Sequence, residues 1–161
     1  SIAQLHGDED EKYITQLKKK CDLCQRWKDK YGKPLSLKVI KTLKSSRVFT
    51  AKESEPEQVK TNIRNASQED LRFSSLSKVV DYFLIDSDSG SGKPFDWQLL
   101  SKLKLSKPWF LAGGVNIENI EQAMVCKPFA VDVSSGVETD GIKNREKIIR
   151  LTTAVKKGYV R

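Results

Sequence analysis

The chain has 161 residues, 38% of them hydrophobic, and a formal charge of +8. That is enough apolar content for one domain with a core, and no run of about 18 apolar residues is present to span a membrane. Three cysteines and one histidine do not cluster as a four-ligand zinc site, and the odd cysteine count points to a reducing cytoplasm rather than a disulfide framework.

Ile2-Ala3-Gln4-Leu5 reads as the tail of a strand, with neither an initiator methionine nor a basic, apolar leader before it. The expectation is a piece of a longer polypeptide. Asp8 to about Tyr31 reads as a helix led by acids and ended by Gly32 and Pro34, with Tyr13, Leu17, Cys21, Cys24 and Trp27 on one face. There Cys21 and Cys24 pack as small apolar side chains rather than as metal ligands. Leu37 to Lys41 is the next strand. Residues 45–68 form a polar insert or loop region, with a short helix over Glu57 to Asn65 and another helical turn near Leu71 to Leu76.

Val79 to Ile85 is a strong apolar strand closed by Asp86. Ser87 to Pro94 is a loop, and Phe95 to Lys104 is helical with Asp96 as N-cap. Trp109 to Ala112 is a strand, and Asn116 caps a helix carrying Ile117, Ile120, Ala123 and Met124. Phe129 to Val133 is the last strand. A final helix after Asn144 buries Ile148, Ile149, Leu151 and Val155. Five short apolar strands alternating with helices imply α/β architecture with a parallel sheet. The pattern fits a doubly wound sheet or part of a (β/α)8 barrel.

The lysines, among them Lys12, Lys18, Lys41, Lys44 and Lys60, are spread along the chain without interleaved aromatics. They read as a solvated surface, so no nucleic-acid and no membrane partner is expected. The stretch SDSGSGKPFDW, Ser87 to Trp97, fails as a P-loop: Ser87 stands where the first glycine belongs, and Pro94 replaces the Ser or Thr after Lys93.

Two other corners carry more chemistry. FLAGGVNIENI, Phe110 to Ile120, ends a buried strand in Gly113-Gly114, and VDVSSGVE, Val131 to Glu138, places Ser134-Ser135-Gly136 after the last strand. Glycine lets backbone N–H groups approach an anion, and a helix starting just beyond adds its positive end. Each corner alone also reads as an ordinary tight turn. Together they follow the last two strands, where (β/α)8 enzymes hold a phosphate, which favours the barrel. Asp86 ends its strand on the same rim, where a carboxyl group can serve as general acid. Asp132 is a second rim carboxylate, and His6 follows the first strand.

Read together, QLHGDE (Gln4 to Glu9), LIDSDSGSGKPFDW (Leu84 to Trp97), LAGGVNIENI (Leu111 to Ile120) and VDVSSGVETDGIKN (Val131 to Asn144) resemble the phosphoribosylanthranilate isomerase family. The resemblance covers nearly the whole chain, apart from extra length between Lys41 and Val79. It implies a single partial (β/α)8 barrel domain over residues 1–161, with about five C-terminal βα units. It further implies a cytoplasmic enzyme of tryptophan biosynthesis that performs an Amadori rearrangement on a phosphorylated sugar–anthranilate substrate. By that resemblance Asp86 matches the general acid. Gly113, Gly114, Ser134, Ser135 and Gly136 match the phosphate-binding turns, and His6 and Asp132 belong to the substrate pocket. No metal or organic cofactor is implied, because acid–base groups suffice for this chemistry.

The chain departs from the family in two respects. The family's general base is a cysteine in a Lys-x-Cys-Gly sequence ending its first strand, and none of Cys21, Cys24 or Cys126 takes that place. An early arginine that meets the anthranilate carboxylate is also missing. An N-terminal fragment or self-association is therefore expected to cover the open barrel edges, with impaired turnover in this chain alone. The alternative is a non-catalytic phosphate-binding fragment or scaffold.

Overall fold

A computed structural model describes residues 1–23, 28, 32, 36–44, 74–87, 97, 100 and 105–159. The expected 45–68 insert, the N-cap at Asp96 and Cys24 lie outside the described residues, as does most of the Phe95 to Lys104 helix. Five strands make one sheet: β1 (Ile2–Leu5), β2 (Lys38–Lys44), β3 (Tyr82–Asp86), β4 (Trp109–Ala112) and β5 (Ala130–Val131). Helix α1 (Glu11–Leu23) follows β1, α2 (Ile120–Val125) follows β4, and α3 (Arg145–Tyr159) ends the chain. All four strand pairings are parallel, and the spatial order is β1-β2-β3-β4-β5. A doubly wound sheet reverses its order at a switch point. This sheet does not, so its winding is that of a (β/α)8 barrel.

The two faces of the sheet separate by side-chain alternation. Val39 and Phe83 point to the helix side, where Ile14, Leu37, Leu76 and Val80 bury them. Ile85 and Leu111 join Leu100, Val115, Ile120, Ala123, Met124, Val137 and Leu151 in a second cluster on that side. The other face carries Ile40, Leu84 and Ala112, with Tyr82 and Phe110 packed beside them. Near the N-terminal ends of the strands, Tyr82, Phe110 and Phe129 form an aromatic group with centroids 5.4–5.7 Å apart.

Several boundaries differ from the sequence reading. Asp10 caps α1: its Oδ1 accepts the Tyr13 N–H at 2.8 Å, so the helix starts at Glu11 rather than Asp8. The inward stripe of α1 is the buried Ile14 with half-buried Leu17 and Cys21, while Tyr13 is 51% exposed. β2 runs three residues past Lys41, and β3 begins at Tyr82 because residues 78–79 form a turn and Asp81 a bend. On α3, Leu151 is buried against the second cluster, but Ile148 and Ile149 are exposed. A two-stranded hairpin, β6 (Glu138–Thr139) and β7 (Ile142–Lys143), precedes α3 and was not expected. Its Asp140-Gly141 tip has φ of 53° and 77°, the two positive values a tight two-residue hairpin turn requires.

Lys41 corrects the picture of a uniformly solvated lysine surface. Its side chain is 2% exposed, and its Nζ bonds Glu9 Oε2 at 2.7 Å and the Gly7 carbonyl. A buried ammonium needs such a partner, because leaving water unpaired is costly. Lys18 pairs with Asp81 at 2.7 Å, and Asp81 also accepts the Val39 N–H at 2.8 Å, tying α1 to the starts of β2 and β3. No helix among the described residues is long and apolar enough to cross a membrane.

Candidate functional site

The C-terminal ends of β3, β4 and β5 meet at one rim. Parallel register sets Asp86 beside Ala112 on one side and Lys44 on the other. Alternation along β3 puts the half-buried Asp86 on the face of Tyr82 and Leu84, away from the helices. Ser87 follows and is buried, donating its N–H to the Ala112 carbonyl at 3.1 Å and its Oγ–H to the Gly113 carbonyl at 2.7 Å. The end of β3 is thus stitched to the corner after β4.

That corner depends on missing side chains. Gly113 and Gly114 have φ of 82° and 66°, a region that L side chains rarely adopt. A Cβ on Gly113 would stand 2.5 Å from Asp86 Oδ1 and 2.5 Å from Ser87 Oγ. The bare glycine therefore lets the Asp86 carboxylate lie directly against the β4 corner.

The next corner is placed by the same device. A Cβ on Gly136 would stand 1.9 Å from the Val115 carbonyl oxygen, so the Ser134-Ser135-Gly136 turn rests on the backbone just past Gly114. Asp132 N–H donates to the Leu111 carbonyl at 2.8 Å and holds the end of β5 beside β4. The two glycine corners are in backbone contact, with Asp86 touching the first of them.

Around the first corner the asparagines form a reciprocal clasp. Asn116 Oδ1 accepts the N–H groups of Glu118 and Asn119 at 2.9 and 3.1 Å, while Asn119 Oδ1 accepts the Asn116 N–H at 2.8 Å. Asn116 therefore shapes the turn, and α2 starts only at Ile120. Ser134 is followed by a three-residue 3-10 helix, Ser135–Val137, and α3 starts further on at Arg145. The expectation of a helix starting just beyond each corner is corrected: after Gly114 the helix begins only at Ile120, and after Ser134 there is only the 3-10 helix. Any anion held there is met by turn N–H groups, with little help from a helix dipole.

The remaining expected residues are spread along the rim. Ser134, Ser135 and Asp132 are exposed beside the second corner. His6 is exposed just past β1, two strand positions from Asp86, roughly 10 Å at ordinary strand spacing. The structure does not bring it to Asp86. Cys21 lies on α1, and Cys126 follows α2 with its Sγ donating to the Trp97 carbonyl at 3.1 Å, so neither stands at a strand end.

Three contributors escaped the sequence reading: Ser87, Asn119 and Lys143. Lys143 Nζ reaches the Ser134 carbonyl at 3.0 Å, Ser134 Oγ at 3.2 Å and Glu138 Oε1 at 2.5 Å. The Asp140-Gly141 pair was the legible signal for that arrangement, because it marks the hairpin that folds Lys143 back onto the turn.

A family model described as N-(5'phosphoribosyl)anthranilate (PRA) isomerase matches residues 43–154. An N-(5'-phosphoribosyl)anthranilate isomerase of Clostridium acetobutylicum is 37% identical over 164 residues, covering 97% of this chain and 62% of the relative. One from Streptococcus pneumoniae is 52% identical over 84 residues, covering 51% of this chain and 42% of the relative. The solved phosphoribosyl anthranilate isomerase of Thermococcus kodakaraensis superposes with a TM-score of 0.63 at 29% identity, over 96% of this chain and 63% of that structure. The enzyme from Pyrococcus furiosus superposes with a TM-score of 0.60 at 26% identity, over 97% and 62%. This chain thus spans a little over three fifths of the length of the Clostridium relative and of these two structures. The chain belongs to the N-(5'-phosphoribosyl)anthranilate isomerase family.

Proposed function

We propose that this chain forms the phosphate-binding and acid-donating part of a phosphoribosylanthranilate isomerase of tryptophan biosynthesis. The observation that carries the reading is the contact of Asp86 with Gly113, with Gly136 seated on Val115. One carboxyl group and two glycine corners are thereby brought within the span of a single sugar phosphate. Gly113, Gly114, Ser134, Ser135 and Gly136 hold the phosphate through backbone N–H and serine hydroxyl groups. Asp132 and His6 line the pocket on either side of Asp86.

In the reaction, the Asp86 carboxylic acid gives its proton to the ribose ring oxygen as the C1–O bond breaks. The anthranilate nitrogen lone pair moves in to form a C=N bond. A general base then removes the proton from C2, and that electron pair forms a C1=C2 double bond while neutralising the nitrogen. Tautomerisation of the resulting enol gives the aminodeoxyribulose phosphate. Proton transfers account for every step, and the product is an isomer of the substrate.

The base is proposed to come from outside the rim described above, because the Lys-x-Cys-Gly sequence that carries the family's cysteine base does not occur in this chain. Further strands, from the same polypeptide or from a partner, are proposed to cover the outer strands β1 and β5 and the face with Tyr82, Phe110 and Phe129. Exposed Ile2 and Phe129 on that side are the kind of surface such strands bury.

The test combines this chain with the segment of the Clostridium relative that it does not match, and follows loss of substrate fluorescence. Turnover is expected in the combined protein, and Asp86→Asn should lower kcat at least about a hundredfold while leaving phosphate binding nearly intact. Full turnover with Asp86→Asn, or none with the wild-type residue in a folded combined barrel, contradicts the reading.

A further inference from the structure

We propose that Ser87, Asn119 and Lys143 are positioning residues of the phosphate site, each gripping one carbonyl of the two corners so that the next N–H faces the anion. The inference rests on the phosphate site proposed above. It adds what aims that site.

In a planar trans peptide, the C=O and the N–H of the following residue point to opposite sides. Ser87 Oγ holds the Gly113 carbonyl at 2.7 Å, Asn119 Nδ2 holds the Gly114 carbonyl at 2.9 Å, and Lys143 Nζ holds the Ser134 carbonyl at 3.0 Å. The N–H groups of Gly114, Val115 and Ser135 are therefore turned away from the three gripping side chains. Two consecutive glycines can adopt many backbone conformations, so their peptide planes need an external hold to stay in one.

Each grip is itself anchored. Ser87 is 5% exposed, and its own N–H is bonded to Ala112. Asn119 is locked in the clasp with Asn116. Lys143 is held by Glu138 across the hairpin, and the Val137 N–H shares the Ser134 carbonyl at 3.3 Å. Because Glu138 balances the Lys143 charge at 2.5 Å, the lysine acts on the turn more than on the anion's charge.

The test is amide NMR of the 161-residue chain titrated with inorganic phosphate. In the wild-type chain the Gly114, Val115 and Ser135 amides should shift together along one saturation curve. Ser87→Ala should weaken binding about tenfold and remove the Gly114 response selectively, and Ser87→Thr should restore both. Lys143→Met should remove the Ser135 response, and Lys143→Arg should return it. If Lys143→Met lowers affinity but leaves the three responses in proportion, the lysine is only a countercharge and the inference fails. It fails equally if Ser87→Ala and Lys143→Met bind and respond as wild type. A wild-type chain that never saturates with phosphate overturns the site itself, and this inference with it. Should Ser87→Ala lose its dispersed spectrum, the Lys143 pair decides.

Discussion

Between β1 and β2 the chain is fastened by charge, and between β4 and β5 by the closeness of bare backbone. Lys41 reaches across to Glu9 and Gly7, and Lys18 reaches from α1 to Asp81. At the other side of the sheet, Gly113 lies against Asp86, and Gly136 against Val115. The first fastening senses pH and accepts changes of side chain at a moderate cost. The second is held by backbone contact rather than by an ion pair and has no room for a methyl group.

The largest expected effect comes from filling the gap in the second region. Gly136→Ala sets a carbon where the Val115 carbonyl already stands, so the corners must separate. Phosphate affinity should fall more than about a hundredfold with a stability loss of about 3 kcal/mol, read by phosphate titration and urea unfolding. An unchanged affinity would show that the two corners do not act together.

In the first region the pair should respond asymmetrically. Glu9→Gln leaves the Lys41 ammonium buried beside a neutral amide and should cost about 2–3 kcal/mol. Lys41→Met removes the buried charge and leaves Glu9 near solvent, so it should cost less than half as much. Urea denaturation of the two variants checks the order, and the reverse order would mean that Lys41 is not truly desolvated.

How much of this was legible beforehand depended on whether a residue's neighbours lie close in sequence. The apolar runs that became β1, β3 and β4 could be seen, as could the glycine corners, because each is a local pattern. Lys41 could not: in the run VIKTLK a lysine looks solvated until strand order brings Glu9 over it. Ile148 and Ile149 were expected inside because they share a helix with Leu151, yet the face they occupy meets no described element that buries them. Ser87 read as the first loop residue, since its partner Gly113 lies 26 residues away. The contact of Gly136 with Val115, on which the site depends, likewise joins two separate βα units.

A smaller effect is expected from acid. Burial pushes the Glu9 carboxyl upward, but the Lys41 hydrogen bond and charge, with the Gly7 N–H, outweigh it and hold Glu9 below the ordinary carboxylate value. Burial likewise raises Asp81, and the Lys18 and Val39 hydrogen bonds with the Lys18 and Lys107 charges bring it lower overall. Both groups therefore stabilise the fold above about pH 4, and that contribution is lost as pH falls below it through the depressed folded values. Thermal unfolding midpoints between pH 7 and pH 3 should show the loss, and Glu9→Gln should flatten part of it.

The smallest effect is a gain. Thr42 Oγ1 is buried without a hydrogen-bond partner among the described residues. Thr42→Val keeps the shape and removes the stranded hydroxyl, so it should stabilise by up to about 1 kcal/mol in urea unfolding.

The measurement that bears most directly on the central claim is a crystal of this chain soaked with ribose 5-phosphate. The phosphorus is expected between the Gly114 and Ser135-Gly136 backbones, with the sugar ring running toward Asp86. A phosphate bound elsewhere, with both corners filled only by solvent, would contradict it.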